Sequence, residues 1–304
     1  MPRFGVPMSR ASMRGANLGQ MSFPEPSLVR DQLWSPAQNS ALWLGWWVHQ
    51  VISTDLLVDA FRAVQGPLHL LDANSAIHAG VASTEELNRC AGTLGDLFRL
   101  VRRVTDDVPT SVDSRPLVGL VLAGAGDAPA LPAGSAAAQA VQAVGAGIVL
   151  ADTDPLTTHV LVPELQHSAE REQPAVMWRW FTAAGPVVYP QLFSPGEADQ
   201  QLREAMETAG RLIEQSGHIR VQGSDVRAEV GTLADSFGLP GLPPGISLRA
   251  ARLLARADYV SAIVEKARAS DAGLALDPLL LPMLRSIRAA RMTAVDYALR
   301  ELLR

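Results

Sequence analysis

Residues 117–150 read LVGLVLAGAGDAPALPAGSAAAQAVQAVGAGIVL, and the class of the fold turns on this stretch. Leu117 to Leu122 is a continuous apolar run, which suits a strand buried on both faces. A Gly/Pro-rich loop, Gly124 to Gly134, leads to an alanine-rich segment, Ser135 to Val144. Alanine favours helix, and Gly145 supplies its stop. Ile148-Val149-Leu150 is a second apolar run. Strand, helix, strand in that order predicts a βαβ unit with a parallel pair.

Downstream the spacing shortens. His159 to Val162 lies one short loop beyond Leu150, which predicts an antiparallel hairpin. In Ala175 to Phe181, alternation puts Val176, Trp178 and Trp180 on one face, so the sheet is mixed. Upstream, Ser35-Pro36 opens a helix to about Val51, with Ser as cap and Pro at the first helical position. It carries Leu42, Trp43, Leu44, Trp46, Trp47 and Val48 and is apolar nearly all round, as a central helix is. A short helix over Asp55 to Val64 and a strand at Leu68 to Leu71 follow. Ser83-Thr84-Glu85-Glu86 matches a capping box that opens a helix running to about Val104.

From Ser194 the pattern is helical: Ser194 to Gln215, Asp225 to Phe237, then the breaker Leu239 to Gly245, Ser247 to Arg268, and Pro278 to Arg304. The fold class is therefore mixed α/β. It has a small mixed sheet containing one βαβ unit and an antiparallel hairpin, N-terminal Trp-rich helices and long C-terminal helices. Residues 1–33 read as a disordered arm, 34–240 as the α/β body and 241–304 as a C-terminal helical region. Met1, Met8, Met13 and Met21 are alternative starts within the arm.

The chain of 304 residues is 48% hydrophobic and 19% charged, an ordinary globular balance. One cysteine, Cys90, excludes an intrachain disulfide framework and fits a reducing cytosol. No run reaches the roughly 18 apolar residues of a membrane span, and the N-terminal residues lack the apolar core of a signal peptide. A soluble, cytoplasmic protein is expected. Net charge is −5, which disfavours nucleic acid as partner. Lys266 is the only lysine, an arginine bias that follows a GC-rich genome.

Five segments carry a resemblance: ALWLGWWVHQVISTDLLVDAFRA, LVLAGAGDAPALPAGSAAAQAVQAVGAGIVLAD, MWRWFTAAGP, SPGEADQQLREAMETA and LPPGISLRAARLLARADYVSAIVEKA. In this order, from about Ala41 to Ser270, they resemble a family of uncharacterised actinobacterial proteins. The resemblance implies an actinobacterial, cytoplasmic origin and brings no activity, cofactor or partner with it.

Candidate chemistry rests on three places. Gly124, Gly126 and Asp127 follow a buried strand, as a dinucleotide loop does. Pro129 stands where the third glycine of that fingerprint belongs, and the helix starts late. Asp152 and Asp154 follow the strand ending at Leu150, where paired carboxylates hold Mg²⁺ beside phosphate. Asp, Thr and Asp-Pro are equally turn residues. His159, five residues beyond Asp154, pairs with it for acid–base work or lies on a hairpin surface. The six histidines form no HxH or HxxxH pair, so no metal site is written locally.

Two further features concern ligands and partners. Trp43, Trp46 and Trp47 are pocket-lining or, more simply, core residues. Arg285, Arg288 and Arg291 recur every third residue on the last helix beside a wide apolar stripe, which suits a partner or a second copy. Two functions remain open. The first is a non-catalytic interaction or regulatory protein that self-associates through its C-terminal helices. The second is an enzyme or binder of small molecules, nucleotides or phosphates using loops 124–127 and 152–154. No cofactor is specified, and whether the chain is an enzyme is undecided.

Overall fold

The computed structural model describes residues 36–74, 76, 80, 83, 92–166, 175–185, 193–216, 230–232, 234, 241–268 and 273–304. The arm 1–33, Cys90, His78, His167 and His218 lie outside them, as does most of the expected helix 225–237.

Helix α1 (Pro36–Val48) is buried nearly all round, as its sequence requires. Its three indoles bury roughly 150–250 Å² each, about 4–6 kcal/mol of gross transfer energy apiece. Two of them also satisfy their N–H groups on the breaker. Trp43 donates to the Gly241 carbonyl at 3.4 Å and Trp46 to that of Pro244 at 2.8 Å. Helix α2 (Thr54–Gln65) is capped by Ser53, whose hydroxyl accepts the Leu56 N–H, and ends at Gly66. Strand β1 (His69–Asp72) follows.

Helix α3 (Leu94–Thr105) departs from expectation. It does not run through from residue 83: Thr93 starts it with a capping box closed by Asp96. Before it, Gly92 has φ +62° and its carbonyl accepts the Leu71 N–H at 2.6 Å. The chain passes so close to β1 that a Cβ at Gly92 would meet the Leu71 carbonyl oxygen at 2.7 Å.

Strands β2 (Val118–Leu122), β3 (Ala146–Leu150), β4 (Thr157–Gln166) and β5 (Ala175–Ala184) complete a five-stranded sheet in the order β1-β5-β4-β3-β2. Only β1 and β5 pair in parallel. The β3–β4 hairpin is antiparallel as expected. The expected parallel βαβ unit is corrected: β2 and β3 are antiparallel, with Val118 opposite Leu150 and Leu122 opposite Ala146.

The cause is the course of the Gly/Pro-rich loop, Gly124 to Gly134. From Leu122 the chain crosses the sheet face through buried Leu131 and brings Pro132 beside Gly185, at the opposite end of the strands. Helix α4 (Ala136–Val144), capped by Ser135 and stopped by Gly145 at φ +90°, then carries it back. Gly145 accepts the Ala123 N–H at 2.8 Å. Loop and helix each traverse the sheet, so the net displacement is nil and β3 starts beside the end of β2.

One sheet face packs on α1, α2 and the C-terminal helices in the main core; α4 covers part of the other. Helix α5 (Pro195–Ser216), α6 (Leu248–Arg268) and α7 (Gly273–Glu301) pack together, and α7 also lies on β2 and α1. Helix α7 begins at Gly273 and continues through Pro278 and Pro282, earlier than the expected start at Pro278. Its apolar stripe, including Leu280, Leu284, Ile287, Val295 and Leu299, belongs to the main core. Among the described residues no helix is long and apolar enough to cross a membrane.

Candidate functional site

The antiparallel β2–β3 pair decides where the candidate residues stand. Loop 124–127 leaves the end of β2 and loop 152–154 leaves the end of β3, so they lie at opposite ends of the sheet. Five residues of strand, about 16 Å, separate them. The two loops form no common pocket.

At the first loop, Gly124 and Asp127 exchange backbone hydrogen bonds at 2.9 and 3.2 Å, with Gly126 at φ +77°. The N–H groups of Gly124 and Asp127 are thereby spent, and the carbonyls of Ala125 and Gly126 face α7. Arginines from α7 occupy them. Arg285 donates to Asp127 at 2.9 Å and to the Gly126 carbonyl at 2.9 Å. Arg288 donates to Asp127 at 2.5 and 3.0 Å and to the Ala125 carbonyl at 3.1 Å. The loop expected to hold an anion binds cations of its own chain. Residues 285 and 288, one helical step apart, close on one carboxylate from the same side.

Arg291 turns into the core and is 1% exposed. It donates to Gln38 at 2.6 Å and to Ser261 at 3.0 Å, and pairs with Asp258 at 2.7 Å. This ties α1, α6 and α7 together. All three arginines expected to meet a partner thus contact this chain.

At the second loop, Asp154 accepts the Leu156 N–H and the Thr157 hydroxyl, and Asp152 accepts the Asp154 N–H at 2.8 Å. These are Asx-type turn contacts. The other oxygen of Asp152 faces His159 at 2.8 Å. His159, with no exposed surface, lies on β4 opposite Thr182. Its Nδ1 faces the Trp180 indole N–H at 3.3 Å and the Thr182 hydroxyl at 3.1 Å. An indole N–H only donates, so Nδ1 is the acceptor, and Nε2–H donates to Asp152. Burial lowers the His159 pKa below 6.5 although Asp152 pulls it upward. Burial pushes the Asp152 carboxyl up, but its hydrogen bonds from Asp154, His159 and Thr153 prevail and hold it below 3.8. A neutral imidazole beside a carboxylate is the result. Asp154, the expected partner of His159, is replaced by Asp152.

His69 repeats the pattern: Trp178 donates to its Nδ1 at 3.1 Å, and its Nε2 donates to the Gly66 carbonyl at 2.9 Å. Burial takes its pKa from 6.5 to about 4. Among the described residues no group of three or more His, Cys, Asp or Glu is placed to hold a metal ion.

A concave surface lies elsewhere among the described residues. On α3 and its C-cap, residues Gly95, Phe98, Arg99, Arg102, Arg103 and Asp106 recur at helical spacing and form, with Trp47 and Thr54, an open groove of about 680 Å³. Trp47 donates to Thr54 at 3.0 Å, which fixes the indole. The Arg102 guanidinium lies 4.2 Å over its ring. Sequence reasoning had Trp47 as a pocket or core residue and passed over the α3 arginines. Their 99, 102, 103 spacing, opposite the apolar 97, 100, 101, 104 face, was the available signal.

These features define a mixed α/β protein whose last helix is clipped by its arginines to the loop after β2 and to α1 and α6. The chain belongs to the Rv1486c-like protein family: the N-terminal domain of that family matches residues 37–192 and the C-terminal domain residues 196–292. The division falls at Ser194, which caps α5 reciprocally with Glu197. No curated protein matches, and no solved structure does.

Proposed function

We propose that this chain is a non-catalytic interaction or regulatory protein of the actinobacterial cytoplasm. One observation carries the reading: His159, the strongest acid–base candidate, is fully buried with both ring nitrogens engaged. A general base needs a lone pair within reach of a substrate proton. Asp127, Asp152 and Asp154 are likewise held by their own chain. Self-association is part of the proposal, but the inward stripe of α7 is already covered, so a second copy would use an outer face of α6 and α7. Leu248 and Tyr259 on α6 and Leu281 on α7 are exposed apolar residues available for it.

The test is a thermal-shift series with divalent cations, nucleotides and phosphorylated sugars on the intact chain and on Asp127→Asn and Asp152→Asn. Ligands raise apparent stability by mass action. The reading expects no ligand whose stabilisation depends on either carboxylate; one that does refutes it. Light scattering on the full chain tests self-association, and a concentration-independent monomer removes that part.

One contact favours a second reading. Thr182, half-exposed, faces Nδ1 of His159, giving the order carboxylate, imidazole, hydroxyl of nucleophilic catalysis. Labelling by an activated phosphonate at Thr182, lost in His159→Gln, would establish it; an unlabelled chain excludes it.

A further inference from the structure

Arg102 stands out among the arginines that are not exposed. The Arg285, Arg288 and Arg291 side chains each meet a carboxylate or carbonyl, whereas the Arg102 guanidinium makes no hydrogen bond or ion pair among the described residues. It is half-buried, and its guanidinium lies over the face of Trp47. It also lines both the groove of about 680 Å³ and an adjoining concavity of about 230 Å³. The second is bounded by Val48, His49, Gln50, Thr105, Asp106 and Leu117.

A guanidinium stacked on an indole keeps its N–H edges free and its plane fixed. Trp47 is itself fixed by Thr54, so the fork is oriented before anything binds, which lowers the entropic cost of binding. The floor is apolar, from Trp47 and Phe98. Asp106 and Asp107 stand beyond Arg102 in the same groove. An all-anionic ligand would meet them unfavourably; hydroxyl groups would donate to them. The volume lies in the range of small-molecule sites.

Gln50 forms the wall of the smaller concavity at φ +59°, the sole non-glycine at positive φ among the described residues. It occupies the C′ position after α1, with Gln50 N–H on the Trp47 carbonyl and Val51 N–H on that of Trp46, both at 2.9 Å. Glycine is the usual residue there. A non-glycine residue in this conformation beside a cavity adds support to a site here.

We propose that the groove between Trp47 and α3 is a binding site for a small hydroxylated oxyanion, a sugar phosphate or sugar acid, whose anionic end is gripped by Arg102. This stands apart from the question of catalysis, since it uses none of the carboxylate or histidine candidates.

The experiment is calorimetric titration of the full chain with glucose 6-phosphate and with gluconate, at matched ionic strength. Binding of either supports the site, and the one that binds names the oxyanion. Arg102→Gln, a half-buried change that leaves the core intact, is expected to weaken binding at least tenfold, and Arg102→Lys by an intermediate factor. Arg252→Gln, an exposed change on α6, is expected to leave it within twofold. Failure of both ligands to bind overturns the proposal. So does Arg102→Gln binding within twofold of the parent, or equal losses in Arg102→Gln and Arg252→Gln.

Discussion

The indole N–H of Trp180 meets Nδ1 of His159 across 3.3 Å, and two residues earlier on β5 the Trp178 indole meets Nδ1 of His69 at 3.1 Å. Both contacts require a neutral imidazole, because a protonated Nδ1 would set donor against donor. Both histidines have lowered pKa values through burial. A histidine whose native pKa lies below its unfolded value binds more protons when unfolded, so acid favours unfolding. Stability is therefore full above pH 6.5 and falls until the native pKa is passed, about 4 for His69. That window corresponds to a loss on the order of 3 kcal/mol from His69 alone. Urea unfolding at several pH values between 7.5 and 4 measures it. His69→Gln, which keeps an acceptor for Trp178, should flatten the slope; an unchanged slope counts against this account.

Arg291 and Asp258 form a buried pair, 1% and 7% exposed. Burial raises the Asp258 carboxyl pKa while Arg291 pulls it down. Removing one partner strands the other, and Arg291→Met is expected to cost about 3–5 kcal/mol. Arg291→Met with Asp258→Leu removes both charges and should recover most of that. Urea midpoints at constant m-value read both. A double variant as unstable as the single one would mean that the bonds to Gln38 and Ser261, rather than the ion pair, hold the three helices.

Most local structure was legible because caps and periodicity are local. Ser135 and Ser194 open helices where expected, and Trp178 and Trp180 share a face because alternation along a strand is strict. The parallel unit was misread because direction depends on how often the chain crosses the sheet, and nothing in Gly124 to Gly134 announces that Leu131 will be buried against it. The sites were misread for the same reason. Asp127 and Arg288 lie 161 residues apart, and a glycine loop written like an anion cradle reads identically whether its carbonyls or its N–H groups face the occupant.

Gln50 bears on both stability and the groove. A left-handed non-glycine residue costs about 1–2 kcal/mol, so Gln50→Gly should stabilise the chain by about 1 kcal/mol. If the side chain serves the smaller concavity, ligand affinity falls in the same variant. Thermal unfolding and titration on one preparation separate the two effects. A destabilised Gln50→Gly would show that the side chain has a structural partner.

Gly45 is required by Leu299. A Cβ at Gly45 would clash with Cδ2 of Leu299, where α1 and α7 pack in the main core. Alanine is ordinarily the better helix residue by about 1 kcal/mol, yet here overpacking opposes it with a cost of about 1–3 kcal/mol. Gly45→Ala should therefore destabilise. Leu299→Ala alone opens a cavity and costs about 2–5 kcal/mol. In the double variant the new methyl enters the space the leucine leaves. The combined cost should then fall short of the sum of the singles by about 1–2 kcal/mol, the range of coupling between residues in contact. Strict additivity in urea unfolding would mean that α1 and α7 do not approach at this point. The same cycle reports whether the C-terminal helix is docked in solution, because only a docked α7 makes the two positions neighbours.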